Sequence, residues 1–158
     1  MDGSFERFEQ IIARLRGKNG CPWDREQTLD SLKPCMINEM IEVLAAVDVL
    51  HRTDHAENLC EELGDLLMNV VMMARIAEEE GLFTMDDVIG GISEKMIRRH
   101  PHVFGDAQAD TSEQVLVNWE EIKKQEKREK SREEMDAEAA ALPEAQKFVI
   151  RHLSDRLS

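Results

Sequence analysis

Two predicted helices in this chain carry acidic doublets that mirror each other about the connection between them. Glu39 and Glu42 lie on the first, Glu62 and Asp65 on the second. Glu42 and Glu62 are equidistant from residue 52, as are Glu39 and Asp65, and residue 52 sits in the polar stretch His51-Arg52-Thr53-Asp54. A chain reversal there sets Glu42 opposite Glu62 and Glu39 opposite Asp65. Carboxylates three residues apart share one side of an α-helix. An antiparallel hairpin therefore gathers four acidic groups at one level, about 15 Å from its turn at ~1.5 Å rise per residue. Four converging carboxylates repel one another unless a cation joins them.

The apolar pattern is helical nearly throughout. Phe5, Phe8, Ile11, Ile12 and Leu15 make a short amphipathic helix that stops before Gly17 and Gly20, and Cys21-Pro22-Trp23-Asp24 has the turn chemistry of a loop. From about Thr28 to Leu50, Leu29, Leu32, Met36, Met40, Val43, Leu44, Val47 and Leu50 recur at three- and four-residue steps. Asp54 and Glu57 offer a cap for a second long helix, which runs through Leu63, Leu66, Leu67, Val70, Val71, Met73 and Ile76 to Gly81. A third begins near Thr84 and ends at Pro101, and a last one starts near Asp110 or Thr111 and carries Val115, Leu116, Trp119 and Ile122. From Lys123 to Ala141 charged residues and alanines dominate, which reads as a solvated helical extension or linker, and a weak apolar patch follows near the end. No segment alternates as a strand would. The expected fold class is all-α, with helix hairpins packed as a four-helix-type bundle. Residues 1–125 are expected to form the functional domain, and 126–158 a charged helical extension and tail.

A chain of 158 residues with 42% hydrophobic content suits one domain with a core. No apolar run approaches the ~20 residues of a membrane span, and the start of the chain lacks a basic segment followed by an apolar one. Cys21, Cys35 and Cys60 are widely spaced, so reduced thiols are expected rather than a disulfide framework. These features read as a soluble, cytoplasmic protein. A formal charge of -13 disfavours binding to a nucleic-acid polymer. It leaves room for a small anionic ligand held by local cations and a metal, because distant charges are screened beyond ~8 Å.

Acidic runs on helices are usually solvated faces, but these four residues sit among apolar neighbours: Glu39 between Met36 and Met40, Glu42 between Ile41 and Val43, Asp65 before Leu66-Leu67. Helices apolar on most sides are expected to be buried, and buried carboxylates call for a partner. Carboxylates without His or Cys suit a hard cation, Mg²⁺ or Mn²⁺, and Mg²⁺ held this way commonly shares its shell with substrate phosphates. A di-iron bundle would need Glu-x-x-His pairs, and no Glu here is followed three residues later by His.

Asn38-Glu39-Met40-Ile41-Glu42, nineteen residues, then Glu62-Leu63-Gly64-Asp65 resembles the acidic signature of the MazG nucleoside triphosphate pyrophosphohydrolases. The likeness extends to Asn19-Gly20-Cys21-Pro22-Trp23-Asp24, to Arg98-Arg99-His100-Pro101-His102-Val103-Phe104 and to Val117-Asn118-Trp119-Glu120-Glu121-Ile122-Lys123, covering roughly residues 5 to 125. The resemblance implies an α-helical, Mg²⁺-dependent enzyme that hydrolyses a nucleoside triphosphate to the monophosphate and pyrophosphate by water attack at the α-phosphorus. By position, Glu39, Glu42, Glu62 and Asp65 would be its catalytic metal ligands. Longer family members carry two copies of the domain, so a single-domain form is expected here. The family is dimeric, which implies a homodimer whose subunits complete the bundle and the pocket. One departure is Asn38, where the family has a glutamate. Asn38 shares an arc with Glu42 and can offer a carbonyl oxygen, but it cannot accept a proton as a carboxylate does.

Lys95, Arg98 and Arg99 stand where the resemblance implies triphosphate contacts, although cations in a helix's last turn also complement its dipole. Lys33 is a weaker candidate of the same kind. Trp23 and Asp24 suit enclosure of a base, while a loop tryptophan also serves as an anchor. Asn69 lies one turn beyond Asp65 and suits a ligand contact or a satisfied core position. His100 and His102 read as structural, and Met68, Met72 and Met73 as core or dimer packing. Two readings stay open: a nucleoside triphosphate pyrophosphohydrolase, and a catalytically weakened nucleotide-binding or protein-interaction module with Asn38 as its mark. A purely structural helical dimer is a third, and it predicts no Mg²⁺-dependent thermal shift.

Overall fold

The computed structural model describes residues 3–157. Among them the chain forms eight helices and no strand: α1 (Ser4–Arg16), α2 (Pro22–Glu26), α3 (Lys33–Thr53), α4 (Glu57–Glu79), α5 (Met85–Arg99), α6 (Pro101–Phe104), α7 (Ser112–Glu129) and α8 (Arg132–Leu157). The all-α expectation holds. The fold divides into two compact units, the first ending at Val88 and the second starting at Ile89. No described helix is long and apolar enough to cross a membrane.

In the first unit α3 and α4 form the expected hairpin. They pack chiefly on each other, while α1 lies on α4 and α2 on α1. The core joins Ile12 of α1, Leu32, and Val71, Met72 and Ile76 of α4, flanked by Phe5, Phe8, Leu15 and Leu29. Ile12, Leu32, Val71 and Ile76 are among the apolar steps of the sequence, and Met72 lies beside them. Alanines at 46, 74 and 77 are also buried.

Local chemistry sets the helix ends, not always where the pattern alone suggests. The first long helix starts at Lys33, five residues later than expected. Thr28 and Ser31 capture each other's backbone there: Thr28 N–H donates to Ser31 Oγ at 2.9 Å and Ser31 N–H to Thr28 Oγ1 at 3.1 Å. Such side-chain turns compete with helix. Asp54 does not cap α4. It ends α3 instead, in a left-handed conformation with φ of 60° and its N–H donating to Leu50 O at 2.9 Å. Asp tolerates this region better than most residues because its short side chain bonds locally. Helix α4 then starts after Ala56 without a side-chain cap.

The end of α4 is a Schellman turn, with Leu82 N–H donating to Ala77 O at 2.9 Å and Gly81 N–H to Glu78 O at 3.0 Å. Gly81, at φ 71°, supplies the left-handed residue this turn needs. Thr84 caps α5 as expected, and reciprocally: Asp87 N–H donates to Thr84 Oγ1 at 3.2 Å, and Thr84 N–H to Asp87 Oδ2 at 2.8 Å. Thr111 caps α7 by accepting from Gln114 N–H. The Cys21-Pro22-Trp23-Asp24 stretch, read as a loop, is the start of the short helix α2, with Pro22 at a first-turn position where a missing N–H costs nothing.

The expected burial of the hairpin is only partial. Leu44 is 63% exposed and Leu63 50%, with Met40, Leu67 and Met68 also open. Apolar residues surround much of both helices, but α1 covers only part of them. Of the Met stripe, Met72 is core, Met73 packs at its edge and Met68 is exposed.

In the second unit α7 and α8 bury no residue, in keeping with the charged composition. Its organised part is the corner of α5, α6 and α7, where the His100 ring meets Trp119 edge-on at 5.0 Å and Arg99 lies over the same indole at 5.8 Å. His100 Nδ1 contacts Met96 O at 2.6 Å. His100 thus has structural surroundings, while the Nδ1 of His102 is buried without a hydrogen-bond partner among the described residues.

Candidate metal centre

The hairpin brings Glu39 and Glu42 of α3 to Glu62 of α4, with one carboxylate oxygen of each within 4.8 Å of the others. Glu39 and Glu62 are half-buried and Glu42 is exposed, so the site is an open acidic notch and not the enclosed one expected from the apolar flanks. Asn58, one turn before Glu62, donates from Nδ2 to Glu62 Oε1 at 2.9 Å and fixes that carboxylate's orientation. Asp65 lies outside the tight trio, yet its charge is near enough to act on Glu39. Asn69 is buried, 3% exposed, and its Nδ2 donates to the backbone oxygen of Asp65 at 3.0 Å.

Burial first, then the charges of Glu42, Asp65 and Glu62, push the Glu39 carboxyl above its ordinary range. No ion pair among the described residues reaches Glu39, Glu42, Glu62 or Asp65. Like charges held together without a protein cation fit a bound cation. A donor set of oxygens alone fits a hard one.

The remaining candidates divide between the two units. Trp23 and Asp24 ride on α2 in the first, Trp23 exposed and Asp24 half-buried. Lys33 is paired with Asp30. In the second unit Lys95 has no ion pair among the described residues, whereas Arg98 and Arg99 both grip Glu126. Arg98 donates from Nε at 2.9 Å and Nη2 at 2.7 Å, and Arg99 from Nε at 3.2 Å and Nη2 at 2.5 Å. The Arg99 bonds, reinforced by Arg98 against the cost of burial, hold the Glu126 carboxyl down to about 2. Sequence reading placed Glu126 in a solvated stretch and missed this clamp, because residues 27 and 28 positions away carry no periodic signal. Asn58 was missed as well. Its spacing of four from Glu62 on one helix face was the available clue.

A solved structure supplies the deciding likeness: the crystal structure of a mazG-related protein from Thermotoga maritima matches with a TM-score of 0.61 and 32% sequence identity, over 75% of this chain and 98% of that one. The chain belongs to the MazG family. The family model described as the MazG nucleotide pyrophosphohydrolase domain matches residues 27–104, which contain all four acidic positions and the basic segment. An uncharacterized protein YabN of Bacillus subtilis is 52% identical over 139 residues, 88% of this chain and 28% of that protein. A nucleoside triphosphate pyrophosphohydrolase of Escherichia coli K12 is 44% identical over 151 residues, 92% of this chain and 56% of that protein. The MazG chain described here thus spans about half, or less, of the length of these curated relatives.

Proposed function

We propose that this MazG-family chain hydrolyses nucleoside triphosphates to nucleoside monophosphate and pyrophosphate. The observation that carries the reading is the Glu39–Glu42–Glu62 trio, three carboxylates drawn together with no ion pair to any of them among the described residues. With Asp65 they would hold Mg²⁺, with Mn²⁺ a chemically similar substitute. A bound metal of this kind neutralises charge on the phosphates and lowers the pKa of a ligated water. Asn58 keeps Glu62 turned toward its neighbours. In the reaction a water oxygen bonds to the α-phosphorus, the α–β anhydride bond breaks, its electron pair leaves on the pyrophosphate oxygen, and the water's proton passes to solvent.

Lys95, Arg98 and Arg99 are assigned to the triphosphate, Trp23, Asp24 and Asn69 to the nucleoside. Residues 1–125 are the catalytic segment, and 126–158 the extension. The open apolar residues of the hairpin, Met40, Leu44, Leu63 and Leu67, suit a homodimer in which a second copy covers them. A cytoplasmic setting agrees with three unpaired cysteines.

A second reading, a nucleotide-binding module without turnover, is favoured by Asn38 alone. The separating assay is release of pyrophosphate and monophosphate from a panel of nucleoside triphosphates, with and without Mg²⁺, comparing the parent with Glu62→Ala and Asn38→Glu. Mg²⁺-dependent release that Glu62→Ala abolishes supports hydrolysis. Binding without release, restored by Asn38→Glu, supports the module.

A further inference from the structure

Helix α2 carries Trp23 and Asp24 but buries none of its five residues. Core packing therefore does not fix it, and polar bonds take over. Gly20 N–H donates to Gly17 O and Cys21 N–H to Leu15 O, both at 2.8 Å. A side chain at Gly20 would meet the Leu15 carbonyl oxygen at 2.0 Å, so only glycine allows this approach. At the other end of α2, Gln27 Nε2 donates to Trp23 O at 2.9 Å, and Arg16 of α1 adds a hold from outside the segment. Arg16 Nη1 donates to Asp24 O at 2.6 Å and to Gln27 O at 3.1 Å.

Arg16 is itself nearly enclosed, with 7% of its side chain exposed. A charge so placed requires a partner. Glu79 provides it, accepting from Arg16 Nε at 3.1 Å and Nη2 at 2.8 Å, and also from Arg75 Nε at 3.0 Å. The Arg16 bond, then that of Arg75, holds the Glu79 carboxyl below its ordinary range against the cost of burial. The guanidinium thus works as a two-sided bracket. One edge forks onto a carboxylate at the end of α4, and the other donates to two carbonyls at the C-terminal end of α2, of which Asp24 O also accepts from Gln27 N–H. A lysine has no such planar fork.

We propose that Arg16, backed by Glu79, is the positioning residue that fixes Trp23 and Asp24 for nucleotide binding. This rests on the reading above that Trp23 and Asp24 meet the substrate. Arg16 touches no reacting atom, so its loss weakens nucleotide binding and leaves the chemical step in place.

The test compares Arg16→Lys, Trp23→Ala and the double variant in the full chain. Steady-state kinetics with nucleoside triphosphate and Mg²⁺ are read beside circular dichroism. Acrylamide quenching of Trp23 is read separately in a Trp119→Phe background, where it is the sole tryptophan. The expected result is native helicity, faster Trp23 quenching in Arg16→Lys, and a KM raised roughly threefold to tenfold, the loss that one ordinary hydrogen bond carries, with kcat within about twofold. The double variant should be no worse than Trp23→Ala alone, as expected of residues acting as one unit. A raised KM in Trp23→Ala with an unchanged KM in Arg16→Lys overturns the proposal and leaves the substrate reading standing. An unchanged KM in Trp23→Ala removes the substrate reading itself. Should Arg16→Lys not fold, Glu79→Gln carries the same test, because it keeps the side chain's size and removes the charge facing the fork.

Discussion

Removing one carboxylate from the acidic trio should make the metal-free protein more stable and blunt its response to Mg²⁺. Glu39→Gln is the sharpest choice, since Glu39 is half-buried and its carboxyl is raised by burial and by three neighbouring acids. Glutamine keeps the shape and loses the charge. The trio's oxygens lie within 4.8 Å of one another, and two unit charges at that distance repel by about 0.9 kcal/mol in bulk water or about 3.5 kcal/mol at an effective dielectric of 20. The substitution removes two of the three repulsions within the trio. Because Glu42 is exposed, screening by water and salt favours the lower end, a gain of about 1–2 kcal/mol. For a chain of this size that raises Tm by about 2–8 °C. The parent should gain about 2.7 kcal/mol when Mg²⁺ reaches a hundredfold excess over its Kd, and the variant clearly less. The assay is thermal unfolding after EDTA treatment, with and without added Mg²⁺. A variant less stable than the parent in metal-free buffer, or an equal Mg²⁺ shift in both, would contradict a self-repelling trio that holds the metal.

Acid should expose the Glu126 clamp. Its folded carboxyl is depressed to about 2, so its stabilisation is present above the unfolded value of about 4.3 and lost as pH falls toward the folded one. Urea unfolding between about pH 5 and 2 should therefore show a steeper loss for the parent than for Glu126→Gln, and parallel curves would contradict the clamp. Ile12→Ala, at 1% exposure in the core, should cost about 2–5 kcal/mol in the same assay. Thr84→Ala removes half of the reciprocal cap on α5 and should cost about 1 kcal/mol, with helicity otherwise retained by circular dichroism.

The parts of the fold legible in the sequence were those set by local periodicity. Apolar steps of three and four gave α1, α3 and α4, and the mirror placement of Glu42 and Glu62 about residue 52 anticipated which carboxylates meet. Asp65 fitted less closely, since helices that pack side by side do not keep opposed positions at equal distance along their length. Burial was overread, because apolar content at Leu44 or Leu63 tells that a surface wants cover but not that its own chain supplies it. The caps were mixed: Thr84 and Thr111 act as expected, while Asp54 has chemistry equally suited to starting a helix and to ending one. Long-range polar bonds left no local trace. Arg16 with Glu79, 63 positions apart, and Arg98 and Arg99 with Glu126 become visible only once the helices are placed.

In the proposed reaction the Glu39–Glu42–Glu62 notch directs water to the α-phosphorus of a nucleoside triphosphate. Hydrolysis in ¹⁸O-enriched water with Mg²⁺, followed by mass spectrometry of both products, tests it most directly. The expected result is one labelled oxygen in the nucleoside monophosphate, unlabelled pyrophosphate, and loss of both products in Glu62→Gln. Label in the pyrophosphate, or undiminished turnover by Glu62→Gln, would contradict it.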